Sequence, residues 1–186
     1  ERIEFILDDY TYAIKAKSTL ANEGTLDRLK ITVDKEITRV QIDKSGDNKF
    51  LALQEVNIFA KKTNLSKKAS LSQSSDHKGN AKRFGANKLI VKNKNQYAQT
   101  SKQNNPWMRV DLNAPKLVSD IEIVNKKGTE KNLIGATVSL FNGSELVQTF
   151  VVQANPQTKS QALALVYLDA GEHTLSVSRC MDSPPR

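Results

Sequence analysis

Few residues in this chain have the types and spacing that catalysis requires. Its two histidines, His77 and His173, lie far apart in the sequence and in unlike surroundings. The acidic residues are scattered, without the close pairing expected of a glycosidase. Motifs for a nucleophilic serine, a catalytic zinc ion, a phosphate loop or a dinucleotide are absent from the 186 residues. The sequence therefore predicts a protein that is not an enzyme.

The clearest chemical feature is a region of concentrated positive charge. The formal net charge is +8, and residues 56–110 hold twelve of the 28 lysines and arginines with a single acid, Asp76. Such an asymmetry attracts anionic partners and speeds the encounter with them. A solvated face that only keeps the protein soluble has the same composition. Charge alone therefore identifies neither the anion nor the class of partner.

Two aromatic residues, Phe84 and Tyr97, accompany the densest lysines of this region. Single-stranded nucleic acids need a larger stacking platform, so no specific nucleic-acid partner is predicted. One interpretation is that Phe84, Tyr97 and residues 89–91 insert into an anionic membrane as apolar loop tips ringed by lysines. We favour the alternative that residues 89–91 form a buried strand under a polar loop.

Cysteine use and hydropathy narrow the class further. The lone cysteine, Cys180, excludes an intramolecular disulfide framework. We interpret Cys180 as an inert residue, with an intermolecular bridge as the alternative. No apolar run approaches the roughly 18 residues of a membrane-spanning helix. The chain starts at Glu1, and we expect a processed form or a fragment of a longer protein.

The elements that must position these residues are strands. Apolar and polar residues alternate in several segments, which is typical of half-buried strands. Asn142-Gly143 lies between two such segments and predicts a tight hairpin with a type I′ turn. Long amphipathic helices are absent, and the polar, basic residues 60–105 predict a long functional loop region. Many short strands with little helix predict an all-β fold, a β-sandwich or jelly roll. The predicted strands are residues 33–42, 51–58, 107–112, 117–124, 136–141, 144–152, 162–168 and 173–177.

Six segments, in order, resemble the strand motifs of one family. They are Arg39–Ile42, Phe50–Phe59, Ala69–Ser75, Asn105–Leu112, Ile121–Asn125 and Leu133–Val138. The family comprises the discoidin or coagulation-factor type C domains and their fucose-binding lectin relatives. The resemblance implies a galactose-binding-domain-like jelly roll over residues 36–178. Residues 1–35 would then be an N-terminal extension or the end of a preceding domain, and residues 179–186 a tail.

The positions that bind sugar in the fucose-binding relatives differ in this chain. The resemblance implies a histidine before the tryptophan strand and two arginines after the asparagine-ended strand. Gln99, Lys126 and Asn132 stand near those three places. The fucose site is therefore expected to be absent or recast.

The calcium loop that the resemblance implies is also altered. Its usual aspartate-glycine-asparagine is Val91-Lys92-Asn93 here, so only Asn93 is kept. Calcium prefers several hard, charged oxygen ligands, and Lys88, Lys92 and Lys94 would repel it. We predict no cofactor and no metal ligand, with bound calcium as the lesser alternative.

Three residues of the resembling segments are predicted to support the scaffold. Trp107 is large and apolar, so we expect it in the core. Glu55 and Asp111 lie beside apolar strand residues, and we expect their carboxylates to accept backbone or arginine hydrogen bonds.

The sequence as a whole predicts a non-catalytic, lectin-like binding module, which recognises a carbohydrate or an anionic surface through loops at one end of a β-sandwich. The alternative is a structural assembly protein, such as a minor component of a virion shell or surface complex, whose same loops contact protein. An extracellular, cell-surface or virion location fits both. The candidate ligand-binding residues are Lys88, Lys92, Asn93, Lys94, Tyr97, Gln99, Lys126 and Asn132.

Overall fold

The computed structural model describes residues 4–8, 11–15 and 23–154. The chain divides into two compact units, one formed by residues 1–18 with 162–186 and the other by residues 19–161. In the first unit, β1 (Glu4–Asp8) and β2 (Thr11–Lys15) pair as an antiparallel hairpin. His173, Cys180 and the strands predicted over residues 162–168 and 173–177 lie outside the described residues.

The second unit is built almost entirely of antiparallel strands, which confirms the predicted all-β fold. Within residues 23–154, one short α-helix, α1 (Ala81–Phe84), and 3₁₀ turns at Ser66–Lys68, His77–Gly79, Ala86–Ile90 and Glu130–Leu133 interrupt the strands. The strands are β3 (Glu23–Thr25), β4 (Arg28–Asp43), β5 (Ala52–Ala60), β6 (Thr63–Asn64), β7 (Ser70–Gln73), β8 (Ala98–Gln99), β9 (Trp107–Asn125), β10 (Thr137–Asn142) and β11 (Glu145–Val151).

Two long strands, β4 and β9, pair with each other along most of their length and run through both halves of the sheet. One half has the order β11, β10, β4, β9, β7, and the other has β3, β4, β9, β5, with β6 and β8 paired to β5. The register shifts after Thr32, where β4 has the longer segment, and again after Ile37, where β9 has the longer segment. Asp34 and Asn113 have positive φ angles of 48° and 64° at these bulges. Bulges of this kind bend a strand, so the two halves can face each other.

A single hydrophobic core lies between the two halves. Alternate residues of β4 are buried before the bulges, from Leu29 to Val33, and after them, at Val40 and Ile42. Met108, Val110 and Leu112 alternate in the same way in β9. Phe150 of β11 is 1% exposed and belongs to the same cluster as these residues. Because both halves bury their apolar faces in one cluster, the architecture is the predicted galactose-binding-like sandwich.

The sheet begins before residue 36, where the sandwich was expected to start. Strand β4 runs from Arg28 without interruption through that position, and β3 pairs with its first residues. Leu29 and Ile31 are buried, so residues 28–35 belong to the core-forming part of the chain. The motif resemblance starts later because these residues carry alternating hydrophobicity but none of the family's motifs.

The predicted hairpin is confirmed, with a shift in its turn. Asn142 pairs with Glu145, which leaves Gly143 and Ser144 as the two turn residues. Gly143 has a φ of 60°, whereas Ser144 is not in the left-handed region. This pattern is typical of a type II′ turn, so the prediction of type I′ with Asn142 at its centre was wrong.

The prediction for Trp107 was wrong, because its ring lies outside the core. Inward-facing Met108 and Val110 place Trp107 and Arg109 on the outer face of β9. The Arg109 guanidinium carbon lies 4.1 Å from the centre of the half-buried Trp107 ring. A cation–π contact of this kind stabilises an aromatic ring that lies outside the hydrophobic core.

Both carboxylates with predicted scaffold roles accept hydrogen bonds. Arg39 Nε donates to Asp111 Oδ1 at 2.6 Å, in an ion pair across β4 and β9. Asn57 Nδ2 donates to Glu55 Oε2 at 3.0 Å. The predicted arginine hydrogen bond is therefore confirmed for Asp111, whereas Glu55 accepts from an asparagine side chain and not from the predicted backbone or arginine donor.

Residues 60–105 carry more structure than the predicted loop region implied. They include β6, β7, β8 and α1, and the turn at Ala86–Ile90 replaces the strand predicted over residues 89–91. Leu89 is fully buried and Phe84 is 6% exposed, so neither side chain is an exposed membrane-inserting tip. Within the described ranges, no helix is long and apolar enough to cross a bilayer.

Candidate functional site

The connection from β7 to β8 forms a compact unit around α1. Asn80 caps the helix, and its Oδ1 accepts a hydrogen bond from the Arg83 backbone N–H at 3.0 Å. Gly85 then turns the chain where a Cβ atom would lie 2.5 Å from the Ala81 carbonyl oxygen. Only glycine fits this close approach. The cap and the glycine together determine the direction in which residues 82–84 project.

The turn at Ala86–Ile90 attaches this unit to the sandwich. Its Leu89 side chain is fully buried in the core cluster, and the turn contacts β5, β7 and β8. These strands come from both halves of the sheet. A buried leucine of this kind contributes roughly 1.5–3 kcal/mol, enough to hold a short polar segment in place.

A small aromatic cluster lies beside this turn. The buried Phe84 ring is 4.9 Å from the His77 ring, edge to face, and 5.6 Å from the Tyr97 ring. Tyr97 is half-buried, and Lys126 Nζ lies 5.0 Å from the centre of its ring. Lys126 follows β9, so the Tyr97 ring joins two loops that are distant in the sequence.

These side chains line a cleft of about 390 Å³. Lys82 and Arg83 are exposed at the cleft and Lys88 is half-buried, while no carboxylate is among the lining residues. The guanidinium carbon of Arg83 is 5.1 Å from the centre of the Phe84 ring. We refer to this site as the aromatic–basic cleft. It is lined by Asn80, Lys82, Arg83, Phe84, Lys88, Asn95, Gln96 and Tyr97.

One buried amide, that of Gln73, connects the segments behind the cleft. Its Nε2 lies 2.8 Å from both the Ser75 carbonyl oxygen and Asp76 Oδ1. The carbonyl oxygens of Phe84 and Gln99 are 3.1 and 3.3 Å from the same nitrogen. The buried Gln73 Oε1 has no hydrogen-bond partner among the described residues. Gln73 therefore links β7, α1 and β8 through its nitrogen alone.

The structure brings three of the predicted site residues together. Lys88 and Tyr97 line the cleft, and Lys126 contacts the Tyr97 ring. Gln99 lies in β8 opposite Ala52, and its carbonyl faces Gln73, so its backbone supports the cleft wall.

The other four predicted residues do not line the cleft. Asn93 has a turn-forming role, because its Oδ1 accepts a hydrogen bond from the Asn95 N–H at 2.9 Å. Lys92 and Lys94 are exposed on either side of it. Asn132 lies in the turn at Glu130–Leu133, where its N–H donates to the Thr129 carbonyl at 3.0 Å.

Sequence reasoning missed most of the residues that line the cleft. The predicted ligand-binding residues do not include Phe84, which the sequence presents as an aromatic neighbour of the lysines or a membrane-inserting tip. They also do not include Asn80, Lys82, Arg83, Asn95 and Gln96. A usable signal was present, because Asn80 is a favourable N-cap and Lys82-Arg83-Phe84 joins two cations to an aromatic ring.

Metal ligation has no strong basis in the described residues, which contain no group of three or more histidine, cysteine or acidic side chains close enough to share an ion. The Asn93 side chain, all that remains of the implied calcium loop, is engaged in its own turn. Bound calcium therefore stays an untested alternative.

Asp43 and Glu130 have carboxyl groups whose pKa values differ from their usual values, and both groups lie outside the cleft. Burial raises the pKa of Asp43, although a hydrogen bond from Gln41 and the positive charge of Arg109 oppose this rise. Backbone hydrogen bonds from Glu130 and Gly128 lower the pKa of the exposed Glu130 carboxyl. Neither group is placed to act as an acid or base on a molecule bound in the cleft.

Comparison with known families adds one match. Residues 88–170 match the family model described as "NedA-like, galactose-binding domain". The match agrees with the resemblance to discoidin and coagulation-factor type C domains and confirms it for that part of the chain. It begins at Lys88 and includes Tyr97, β9 and the β10–β11 hairpin. No curated protein and no solved structure matches the chain.

Proposed function

From the galactose-binding domain matched by residues 88–170, we propose that this protein is a non-catalytic module that binds a carbohydrate in the aromatic–basic cleft. The observation that carries the proposal is the cleft itself, which combines a half-buried aromatic ring with several polar side chains. Ligand sites are typically concave, with aromatic surface and a few well-placed polar groups. The proposal implies an extracellular or surface role.

Tyr97 is the residue best placed to contact a sugar ring. Its ring is half-buried and packs on Phe84, so its position is determined before any ligand arrives. The apolar face of a pyranose suits an aromatic surface, because both are flat and poorly hydrated. Phe84 is almost completely buried and supports Tyr97 from behind.

Side-chain amides at the cleft supply groups for sugar hydroxyls. Asn80 uses its Oδ1 to cap α1. The side chains of Asn95 and Gln96 make no hydrogen bond to any described residue. An amide donates and accepts at once, which matches a hydroxyl. The histidine and the two arginines that bind sugar in the fucose-binding relatives have no counterparts at Gln99, Lys126 and Asn132, so we expect a different sugar specificity.

The alternative role, structural assembly, draws support from exposed apolar side chains. Leu117 is 65% exposed in the bend of β9, and Leu146 is 55% exposed next to the β10–β11 turn. Exposed leucines of this kind suit a protein contact. Two isolated leucines form a weaker site than a lined cleft, so carbohydrate binding remains the main proposal.

The proposal is tested first on a glycan array at moderate salt. The glycan that binds best is then titrated into two Tyr97 variants. Tyr97→Ala removes the ring and is expected to weaken binding tenfold or more, since aromatic contacts dominate such sites. Tyr97→Phe keeps the ring and is expected to retain most of the affinity. Both variants should melt close to the parent temperature. The proposal would be refuted if the protein bound no glycan on the array, or if Tyr97→Ala bound the best glycan as tightly as the parent.

A further inference from the structure

We infer that the ligand of the aromatic–basic cleft is an acidic sugar, whose ring lies against Tyr97 and whose carboxylate or sulfate group contacts Lys82, Arg83 and Lys88. The inference rests on the proposed function and specifies the chemical class of its ligand. A neutral sugar would use the ring and the amides but leave the cations without a role.

The cations of the cleft form no ion pair with any acid among the described residues. The ion pairs formed within residues 23–154 join Arg28 to Glu122, Lys30 to Asp120, and Arg39 to Asp111. None of these pairs includes a residue of the cleft. From residue 77 to residue 110 the chain contains no acid at all. The positive potential at the cleft is therefore uncompensated by its own segment, and it is available to an incoming anion.

The positions of the three cations favour one bound anion over diffuse attraction. Lys82 and Arg83 project from a single helical turn, and Lys88 comes from the adjoining 3₁₀ turn. All three line the same cleft of about 390 Å³. Like charges held together in this way repel one another, and a bound anion relieves the repulsion. Arg83 also offers a planar fork that suits a carboxylate or sulfate.

The aromatic groups orient the cations toward the ring-binding surface. The Arg83 guanidinium carbon is 5.1 Å from the centre of the Phe84 ring, and Lys126 Nζ is 5.0 Å from the centre of the Tyr97 ring. Cation–π contacts restrict where these long side chains can point. A sugar lying against Tyr97 would therefore find positive charge at its edges, where an acidic substituent projects.

Calorimetric titration of the intact chain would compare four probes. These are a galacturonic acid oligosaccharide, a sulfated galactose oligosaccharide, a neutral galactose oligosaccharide of the same length, and inorganic polyphosphate of matched charge. We expect an acidic oligosaccharide to bind at least tenfold more tightly than the neutral one, since each hydrogen bond to a charged group contributes about tenfold or more. Added salt should reduce this preference.

Two triple variants distinguish the effect of the cleft cations from the effect of the protein's overall charge. K82Q/R83Q/K88Q removes the three cleft cations and should abolish the preference for the acidic probe. K62Q/K67Q/K68Q removes the same charge from exposed positions of the same basic region, outside the cleft, and should keep it. Melting temperatures close to that of the parent should accompany both.

The outcomes distinguish this inference from the proposal on which it rests. Equal affinity for neutral and acidic oligosaccharides, both lost in Tyr97→Ala, would overturn the acidic ligand and leave carbohydrate binding intact. Equal losses in the two triple variants would overturn it, as would polyphosphate binding that matches the acidic oligosaccharide and tolerates Tyr97→Ala. Failure of every oligosaccharide to bind would refute both.

Discussion

Replacing Gln73 with leucine is expected to destabilise the wall of the aromatic–basic cleft. The Gln73 amide has two hydrogens, and its nitrogen lies near one carboxylate oxygen and three carbonyl oxygens. The bond to Asp76 involves a charged group and contributes about 1.5–3 kcal/mol, and a bond to a carbonyl contributes about 0.5–1.5 kcal/mol. Leucine also removes the unpartnered Oε1, which returns about 1 kcal/mol.

The net loss of unfolding free energy in Gln73→Leu is then about 1–3 kcal/mol, or roughly 2–12 °C in melting temperature. Gln73→Glu keeps the shape but places a charged carboxylate near Asp76 and the three carbonyls. It should be the less stable of the two variants at pH 7, because an uncompensated charge of this kind costs about 3–5 kcal/mol.

Urea and thermal unfolding of both variants measure these changes. The exposed Gln153 provides the matched control, and Gln153→Leu should change stability by less than about 0.5 kcal/mol. The reasoning would be refuted if Gln73→Leu were as stable as the parent. It would equally fail if Gln73→Glu were the more stable variant at pH 7, since the donors of the amide would then be irrelevant.

Two further predictions concern single positions. Gly85→Ala should cost about 1–3 kcal/mol in thermal unfolding and weaken ligand binding, because the new Cβ would meet the Ala81 carbonyl oxygen at 2.5 Å; unchanged stability would contradict the close approach. Asp43→Asn should alter the pH dependence of unfolding. Since burial raises the folded-state pKa of Asp43, its carboxyl favours folding below its unfolded value near 3.8, and that contribution is lost as pH rises through the folded value. Asp43→Asn should therefore lose less stability than the parent between acidic and neutral pH, and identical pH profiles would refute this.

The strands were predictable from the sequence because alternation is a local property. A strand and its buried face can be predicted from the spacing of Val40 and Ile42, or of Met108 and Val110, without any knowledge of the partner strand. The same alternation could have corrected the error for Trp107. A residue next to the inward-facing Met108 must point outward, whatever its size.

The cleft was predictable only in part, because its shape depends on the turn at Ala86–Ile90, which Leu89 attaches to the core. Lys88 and Tyr97 could be predicted from their residue types, because one is a cation of the basic region and the other is one of its few aromatic residues. Arg83 and Asn95 reach the same cleft only after Leu89 has entered the core and turned the chain. The burial of Leu89 and the four oxygen atoms around the Gln73 amide correspond to no periodic pattern in the sequence. Contacts between loops of this kind are set by the tertiary structure.

The pairing of β4 with β9 has a consequence for the entropy of ligand binding. The segment that carries the cleft begins at Lys44, directly after β4, and ends at Pro106, directly before β9, and the Lys44 N–H donates to the Pro106 carbonyl at 2.9 Å. Lys49 and Gln103 exchange two further backbone hydrogen bonds inside this clamp. The free-energy cost of bringing the two ends of this long segment together is thus met during folding. Because the ends of the segment are ordered before a ligand enters the cleft, less of the contact energy is offset by ordering the backbone and more of it remains as affinity.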